Sequence, residues 1–131
     1  MEISINTSAR EELIDITPLV EKELKKTGIK KGLLHVFIPH ATAAVTINEN
    51  ADPNLPRDIN DFLNKLVKKG VWMHDRMDGN ADGHIKASLI GSSTSVPVEN
   101  GEMLLGRWQD IFLCEFDGPR KRRIIINFIG K

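Results

Sequence analysis

Cysteine, tyrosine and net charge are what this sequence has little of. Its 131 residues include one cysteine, Cys114, and no tyrosine, and 18 basic residues balance 18 acidic ones. One cysteine cannot form a disulfide within the chain, and a balanced charge gives no general attraction to DNA or to an anionic membrane. Five phenylalanines and two tryptophans offer few surfaces for stacking on nucleic-acid bases. We therefore expect no nucleic-acid partner.

Long apolar runs are also absent. Apolar runs such as residues 124–126 are far shorter than the ~20 residues that span a bilayer. The first residues carry neither a basic start nor an apolar signal core. These features predict no membrane partner and a cytoplasmic location, where a free thiol stays reduced. Cys114 lies in an apolar strand pattern, which favours a buried, inert thiol over a nucleophile.

Hydrophobic periodicity predicts three helices. The first begins at Thr17-Pro18, with Thr17 as its cap, and ends at Gly28. The second is predicted over residues 54–69, where apolar residues recur at helical spacing. A polar loop over 77–83 then precedes a short third helix over about 84–90.

Strand patterns fill most of the rest. Asn100-Gly101 favours a tight hairpin turn between two strands, and Asp117-Gly118-Pro119 is a turn signal between the last two. Pro39 interrupts an apolar strand over 33–38, and the extended pattern resumes over 43–47. Mostly antiparallel strands in a sheet or sandwich, with about three helices, predict a single α+β domain over residues 1–131.

Three of the four histidines lie where a ligand site could form. His40 follows a strand and Pro39, His74 follows a short apolar stretch, and His84 follows a polar loop. Their spacing matches no short metal motif, so three unrelated loop histidines and one assembled site both stay open. Three neutral imidazoles would suit a borderline cation such as zinc.

The segment Asn48-Glu49-Asn50-Ala51-Asp52 gathers polar side chains where a strand ends and the second helix begins. Turn and capping chemistry explains Asp52, and an acid near the helix start, such as Asp58, suits the helix dipole. It does not explain Glu49 equally well. For Glu49 the functional alternative is a metal ligand or a general base.

A basic run over residues 120–123 follows Asp117-Gly118-Pro119. One interpretation is a solvated turn whose side chains leave opposite faces of a strand. The other is that one arginine points inward and binds phosphate in a bidentate manner. For this role we expect Arg120, directly after the turn, with Glu115 orienting it or joining a metal shell.

Six segments carry multi-residue motifs, in order over nearly the whole chain. They are Pro39-His40-Ala41-Thr42-Ala43-Ala44-Val45-Thr46-Ile47-Asn48-Glu49-Asn50, Gly79-Asn80-Ala81-Asp82-Gly83-His84-Ile85-Lys86-Ala87-Ser88, Gly91-Ser92-Ser93, Pro97-Val98-Glu99-Asn100-Gly101, Leu105-Gly106-Arg107-Trp108-Gln109 and Cys114-Glu115-Phe116-Asp117-Gly118-Pro119-Arg120. Together they resemble the YjbQ family, also called the secondary thiamine-phosphate synthase family. Arg107 departs from the pattern, because the family commonly has threonine before Trp-Gln.

This resemblance implies an α+β fold that assembles as a homotrimer. It implies a site near the subunit interface that contains His40, His74 and His84, which we predict to converge on a divalent metal. It also implies a reaction in which hydroxymethylpyrimidine diphosphate is joined to a thiazole phosphate and pyrophosphate is released. The expected ligand is therefore a small phosphorylated metabolite.

For that reaction the predicted catalytic residues are Arg120 and Glu49. The departing diphosphate must be neutralised, so we predict phosphate contacts from Arg120 and Lys86 and hydrogen bonds from Ser92 and Asn48. Magnesium prefers carboxylates, whereas three histidines favour zinc, so the identity of the metal stays open. Two alternatives also stay open: a zinc-dependent phosphoester hydrolase, and a trimeric metal- or metabolite-binding protein without turnover.

Overall fold

Two antiparallel sheets stand at the centre of the protein, in a computed structural model that describes residues 1–131. The elements in chain order are β1 (Glu2–Asn6), β2 (Glu12–Asp15), α1 (Thr17–Thr27), β3 (Lys31–Phe37), β4 (Ala43–Glu49), α2 (Asn54–Leu66), a 3₁₀-helix (Met73–Arg76), α3 (Ala81–Ile90), β5 (Ser93–Glu99), β6 (Glu102–Met103), β7 (Gln109–Glu115) and β8 (Lys121–Gly130). The first sheet has the order β1-β8-β3-β5-β6 and the second β2-β7-β4. All strand pairs are antiparallel. The predicted α+β class is confirmed.

The main core lies between the two sheets, because alternate side chains of each strand point to the same face. Leu34 and Val36 of β3 meet Ile111 and Leu113 of β7 there, and α1 adds Val20. A smaller cluster on the other face of the second sheet packs Ala44, Cys114 and Phe116 against residues of α2 and α3. The layers are therefore the first sheet, the second sheet, and then α2 with α3.

The outer face of the first sheet has no layer over it. Leu33 is 40% exposed, Phe37 37% and Ile129 71%. The strand register places Leu33 opposite Ile129 and Phe37 opposite Ile125, with His35 opposite Asn127 between them. Apolar side chains in adjacent rows on an open face are typical of an interaction surface.

Two helices differ from the prediction at their ends. α2 ends at Leu66 rather than at 69, because Val67 is already extended, with φ −112° and ψ 106°. α3 begins at Ala81, inside the segment predicted as a loop. The Asp75 carboxylate accepts the N–H of Ala81 at 3.0 Å, so a side chain six residues upstream starts this helix. Capping at that separation leaves no local sequence signal.

The start of α1 is as predicted, but its cap is not. Asp15 Oδ1 accepts the N–H of Thr17 at 2.9 Å, while the Thr17 hydroxyl accepts the N–H of Ile111 at 2.8 Å. Thr17 therefore ties the helix to β7 instead of capping it. Gly28 ends the helix in the left-handed conformation, at φ 70°, as expected. None of the helices combines the length and the apolarity needed to cross a membrane.

Candidate functional site

His40 takes over a backbone hydrogen bond where a strand has ended. The last pair between β3 and β8 is Phe37 with Ile125, and the next outward position on β3 would be Pro39. Proline has no N–H and cannot continue a ladder. The chain turns there, and His40 Nε2 accepts the N–H of Arg123 at 2.9 Å. The imidazole is thereby fixed against the end of the first sheet.

The environment of His40 favours a neutral ring. Burial of the ring, together with the positive charges of Arg122 and Arg123, lowers the pKa of His40 below its ordinary value of 6.5. Glu115 acts in the opposite direction, and its effect is smaller than theirs. At neutral pH His40 is therefore uncharged.

His74 and His84 contact each other edge to face. Their ring centroids are 4.8 Å apart, and the ring planes meet at 85°. Asp75 holds the 3₁₀-helix that carries His74 against α3, which carries His84. One oxygen of its carboxylate accepts the N–H of Trp72 and the other accepts the N–H of Ala81, each at 3.0 Å. These two hydrogen bonds, that of Ala81 first, lower the pKa of Asp75.

A cavity of about 310 Å³ lies between the end of β3, the start of β4 and α3. We call it the histidine cavity. Its lining consists of His40, Ala41, Ala43, His84, Ala87, Ser88, Gly91 and Ser92. The loop after α3 is held at its edge, because Ile38 donates to the Ser92 carbonyl at 2.7 Å and Val45 to the Gly91 carbonyl at 3.1 Å. Of the predicted site residues, the structure thus brings together His40, His84 and Ser92, with His74 touching His84.

The three histidines of one chain do not fit a shared metal shell as they stand. A neutral imidazole has one lone pair for a metal, and that of His40 already accepts the Arg123 N–H. No group of three or more His, Cys, Asp or Glu side chains has an arrangement that could hold a metal. The divalent metal, zinc or magnesium, stays a prediction, and no step described below depends on it.

The inward arginine is Arg122 rather than Arg120, so that expectation is wrong. Arg122 is 2% exposed, and its guanidinium binds both Glu115 oxygens, at 2.8 and 2.5 Å. It also donates to the Thr42 hydroxyl at 2.8 Å, which fixes the chain just after His40. Arg120 is exposed and folds back onto Asp117, with its Nε 2.8 Å from the Asp117 carbonyl.

Glu115 is fully used by structural contacts. Besides Arg122, its carboxylate accepts the Thr7 hydroxyl and the N–H of Asp117, both at 2.9 Å. It orients Arg122, not Arg120, and it has no free oxygen for a metal shell.

Lys86 is buried away from solvent. Its ammonium is 2.8 Å from the Glu11 carboxylate, 2.5 Å from the side-chain amide oxygen of Asn64 and 3.4 Å from the Asp82 carboxylate. The side chain is 0% exposed. Asp82 also pairs with Arg10. As placed, the Lys86 ammonium joins α3 to α2 and to the β1–β2 loop, and it is closed to the predicted phosphate contact.

Asn48 and Glu49 lie at the wrong end of β4 for the histidine cavity. They are the last residues of this strand, whereas Ala43 at its start lines the cavity. At ~3.3 Å per residue, Glu49 is about 20 Å along the strand from Ala43. Asn48 uses its side-chain oxygen on the Glu49 N–H, at 2.7 Å. Within one chain, the predicted partnership of Glu49 with the histidines is therefore not formed.

Cys114 is buried and inert, as predicted. Its side chain is 1% exposed, and burial raises the pKa of the thiol to about 12. A thiol that stays protonated at neutral pH is no nucleophile.

Sequence reasoning missed Ser88, Arg122 and the backbone of Arg123. The signal for Arg122 was available, since it shares the inward phase of β8 with Ile124 and Ile126. Nothing in the sequence pairs the Arg123 N–H with His40, because the two are 83 residues apart.

Solved structures of other proteins share this α+β fold over nearly the whole chain. One is an uncharacterised conserved protein of the YjbQ/UPF0047 family from Clostridium acetobutylicum, at a TM-score of 0.94 and 47% identity, covering 98% of this chain and 99% of the other. Another is the hypothetical protein APE1520 from Aeropyrum pernix K1, at a TM-score of 0.96 and 40% identity, covering 100% and 98%.

The chain belongs to the YjbQ-like UPF0047 family. The family model described as "UPF0047 protein YjbQ-like" matches residues 1–131. The chain is 46% identical over 126 residues to the UPF0047 protein MJ1081 of Methanocaldococcus jannaschii, covering 96% of this chain and 91% of that protein. It is 45% identical over 131 residues to the UPF0047 protein YugU of Bacillus subtilis (strain 168), covering 98% and 97%. The resemblance read from the motifs is confirmed.

Proposed function

We propose that the histidine cavity binds a small phosphorylated metabolite. We further propose that the protein joins hydroxymethylpyrimidine diphosphate to a thiazole phosphate and releases pyrophosphate. One observation supports this proposal above the others. The polar lining of the cavity consists of imidazoles and hydroxyls, from His40, His84, Ser88 and Ser92, with no carboxylate and no thiol. Imidazole N–H groups and hydroxyls donate hydrogen bonds to phosphate oxygens, although the Ser88 hydroxyl already donates to the His84 carbonyl.

The reaction needs little more than this from the chain. The bond between the pyrimidine methylene carbon and the diphosphate oxygen breaks, and its electron pair leaves on the diphosphate. The thiazole nitrogen supplies the pair for the new carbon–nitrogen bond. Donors fixed before the reaction stabilise the charge that develops on the leaving group. No protein nucleophile takes part, which agrees with the buried Cys114 thiol.

The first test is product formation by the purified protein with both substrates, measured as pyrophosphate and thiamine phosphate together. We expect His84→Ala to lower the rate by about 10²-fold, the usual loss when one donor to a developing anion is removed. The control is Lys65→Ala, since Lys65 is exposed on α2, away from the cavity and from the open face of the first sheet, and should leave the rate unchanged.

Three results would contradict the proposal, each in a different direction. Equal rates for His84→Ala and Lys65→Ala would place the reaction elsewhere. Phosphate release from a single ester, lost with a chelator and restored by zinc, would favour the hydrolase. Binding of phosphorylated ligands without any product would favour a binding protein.

A homotrimer is the assembly that we propose, and it rests on the uncovered face of the first sheet. Ile129 is the most exposed apolar side chain of that face, at 71%, and a charge there would have to be desolvated in an interface. We expect Ile129→Lys to convert the trimer to monomers, as measured by light scattering after gel filtration. Leu66→Lys is the control, because Leu66 is 59% exposed in the opposite layer. An unchanged mass for Ile129→Lys would rule this face out. We place this assembly in the cytoplasm.

A further inference from the structure

The hydrogen bond to Arg123 determines which nitrogen of His40 carries the proton. A backbone N–H can only donate, so Nε2, at 2.9 Å, must be the bare acceptor nitrogen of a neutral ring. The ring proton then sits on Nδ1. Nδ1–H is the one polar group that this imidazole has left to offer to a ligand in the cavity.

Positive side chains lie close to His40. Arg122, Arg123 and Arg120 act on the ring against Glu115, and each of these arginines is also paired with a carboxylate. Among the lining hydroxyls, that of Ser88 donates to the His84 carbonyl at 3.0 Å. The Ser92 hydroxyl has no partner within the chain and lines the same cavity.

We infer that His40 is an anion-binding donor and not a metal ligand: its Nδ1–H and the Ser92 hydroxyl bind oxygens of a phosphate group, while the Arg123 backbone holds the ring. The inference rests on the proposed function only in that the ligand carries a phosphate. It requires neither turnover nor a metal. Any cation at this site would have to be held by His74 and His84 together with ligands other than His40.

The tautomer can be observed directly. Long-range proton–nitrogen correlation spectra of the full chain, labelled with nitrogen-15 at its histidines, distinguish Nδ1–H from Nε2–H and from the doubly protonated ring. At neutral pH we expect His40 alone to be fixed as the Nδ1–H form. His35, which lies on β3 and faces away from the cavity, is the internal control. A His40 ring with its proton on Nε2, or with both nitrogens protonated, overturns the inference.

The ligand is tested with two probes. Inorganic pyrophosphate should shift the Nδ1–H signal of His40 and leave that of His35 unmoved. Zinc chloride should leave both ring-nitrogen signals of His40 unmoved, whatever it does to His74 and His84. A zinc titration that shifts the Nε2 signal of His40 or removes its Nδ1 proton would make it a metal ligand and end the proposal.

Two substitutions separate the two nitrogens. His40→Asn places an amide N–H near the position of Nδ1, whereas His40→Gln places an oxygen near the position of Nε2, where it can accept from Arg123. We expect Asn to keep most of the pyrophosphate affinity and Gln to lose about tenfold or more, the usual effect of a lost hydrogen bond to a charged group. The reverse order would overturn the assignment, and Lys65→Met, on the exposed face of α2, is the control.

The measurements on the His40 tautomer and the synthase assay can fail independently of each other. A fixed Nδ1–H that responds to pyrophosphate, in a protein that forms no product, supports the inference and removes the proposed reaction. Product formation by a protein whose His40 carries its proton on Nε2 removes the inference and keeps the reaction.

Discussion

Arg122→Met is expected to lower the free energy of unfolding by about 3–5 kcal/mol, because it leaves a buried carboxylate without its cation. Glu115 is 0% exposed, and Arg122 binds both of its oxygens. The loss of the Thr42 contact also releases the chain beside His40. Urea unfolding of the wild type and the variant measures the difference.

Arg123→Met is the control, because the neighbouring Arg123 side chain is 52% exposed and pairs only with Glu2 on the surface. An exposed pair contributes about 0–1 kcal/mol. The double variant Arg122→Met with Glu115→Leu should recover much of the loss, since it removes both buried charges. If Arg122→Met were no worse than Arg123→Met, the buried pair would not stabilise the fold as described.

The same pair predicts how stability changes with acid. Burial is the largest single influence on the pKa of Glu115, and it raises that pKa. Hydrogen bonds from Arg122, the Asp117 N–H and Thr7 together lower it by more, so the pKa lies below the ordinary 4.5. As the pH falls, the Glu115 carboxylate is therefore protonated at a higher pH in the unfolded chain than in the folded protein. The stabilisation is complete above pH 4.5 and is lost as the pH falls from there toward the folded-state pKa. Over that range, the stability difference between the wild type and Glu115→Gln should shrink.

Lys86→Met is expected to cost about 3 kcal/mol of stability, somewhat less than Arg122→Met. Its removal leaves Asp82, at 0% exposure, with Arg10 as its remaining cation, and Glu11 with Lys69 and Arg10. Because the Lys86 ammonium is closed to solvent, pyrophosphate affinity of the folded variant should be unchanged. Urea unfolding and a pyrophosphate titration on the same samples measure the two effects.

The opposite pattern would restore Lys86 to the role predicted from the sequence. A stable Lys86→Met protein with weakened pyrophosphate binding would mean that the ammonium reaches the ligand. Lys65→Met, on the exposed face of α2, is the control and should change neither quantity.

Much of the fold was readable from the sequence because its signals are local. Asn100-Gly101 forms the predicted hairpin turn, with φ 52° and 78°, and Gly28 ends α1 as a left-handed residue. The early start of α3 was not readable, since its carboxylate cap comes from a 3₁₀-helix that has no strong pattern of its own.

The candidate site was only partly readable, for a related reason. The motifs pointed to His40, His84 and Ser92, and the structure places all three on one cavity. Glu49 was expected to act with them because turn and capping chemistry did not explain a glutamate at that position. The strand between them is extended, however, and seven residues of β4 carry Glu49 to the far end of the sheet. Neighbourhood in sequence is a poor guide to distance along a strand.

The strand order of the first sheet has a consequence for how the chain folds. β1 joins that sheet only through β8, and the Met1 ammonium donates to the carbonyl of Ile126, 125 residues further along. Such pairings close very long loops before they gain any contact energy, and a chain rich in them has high contact order. Folding is accordingly expected on the order of milliseconds to seconds. The amino-terminal strand, although synthesised first, has to wait for the carboxy-terminal one before it has an edge on which to form.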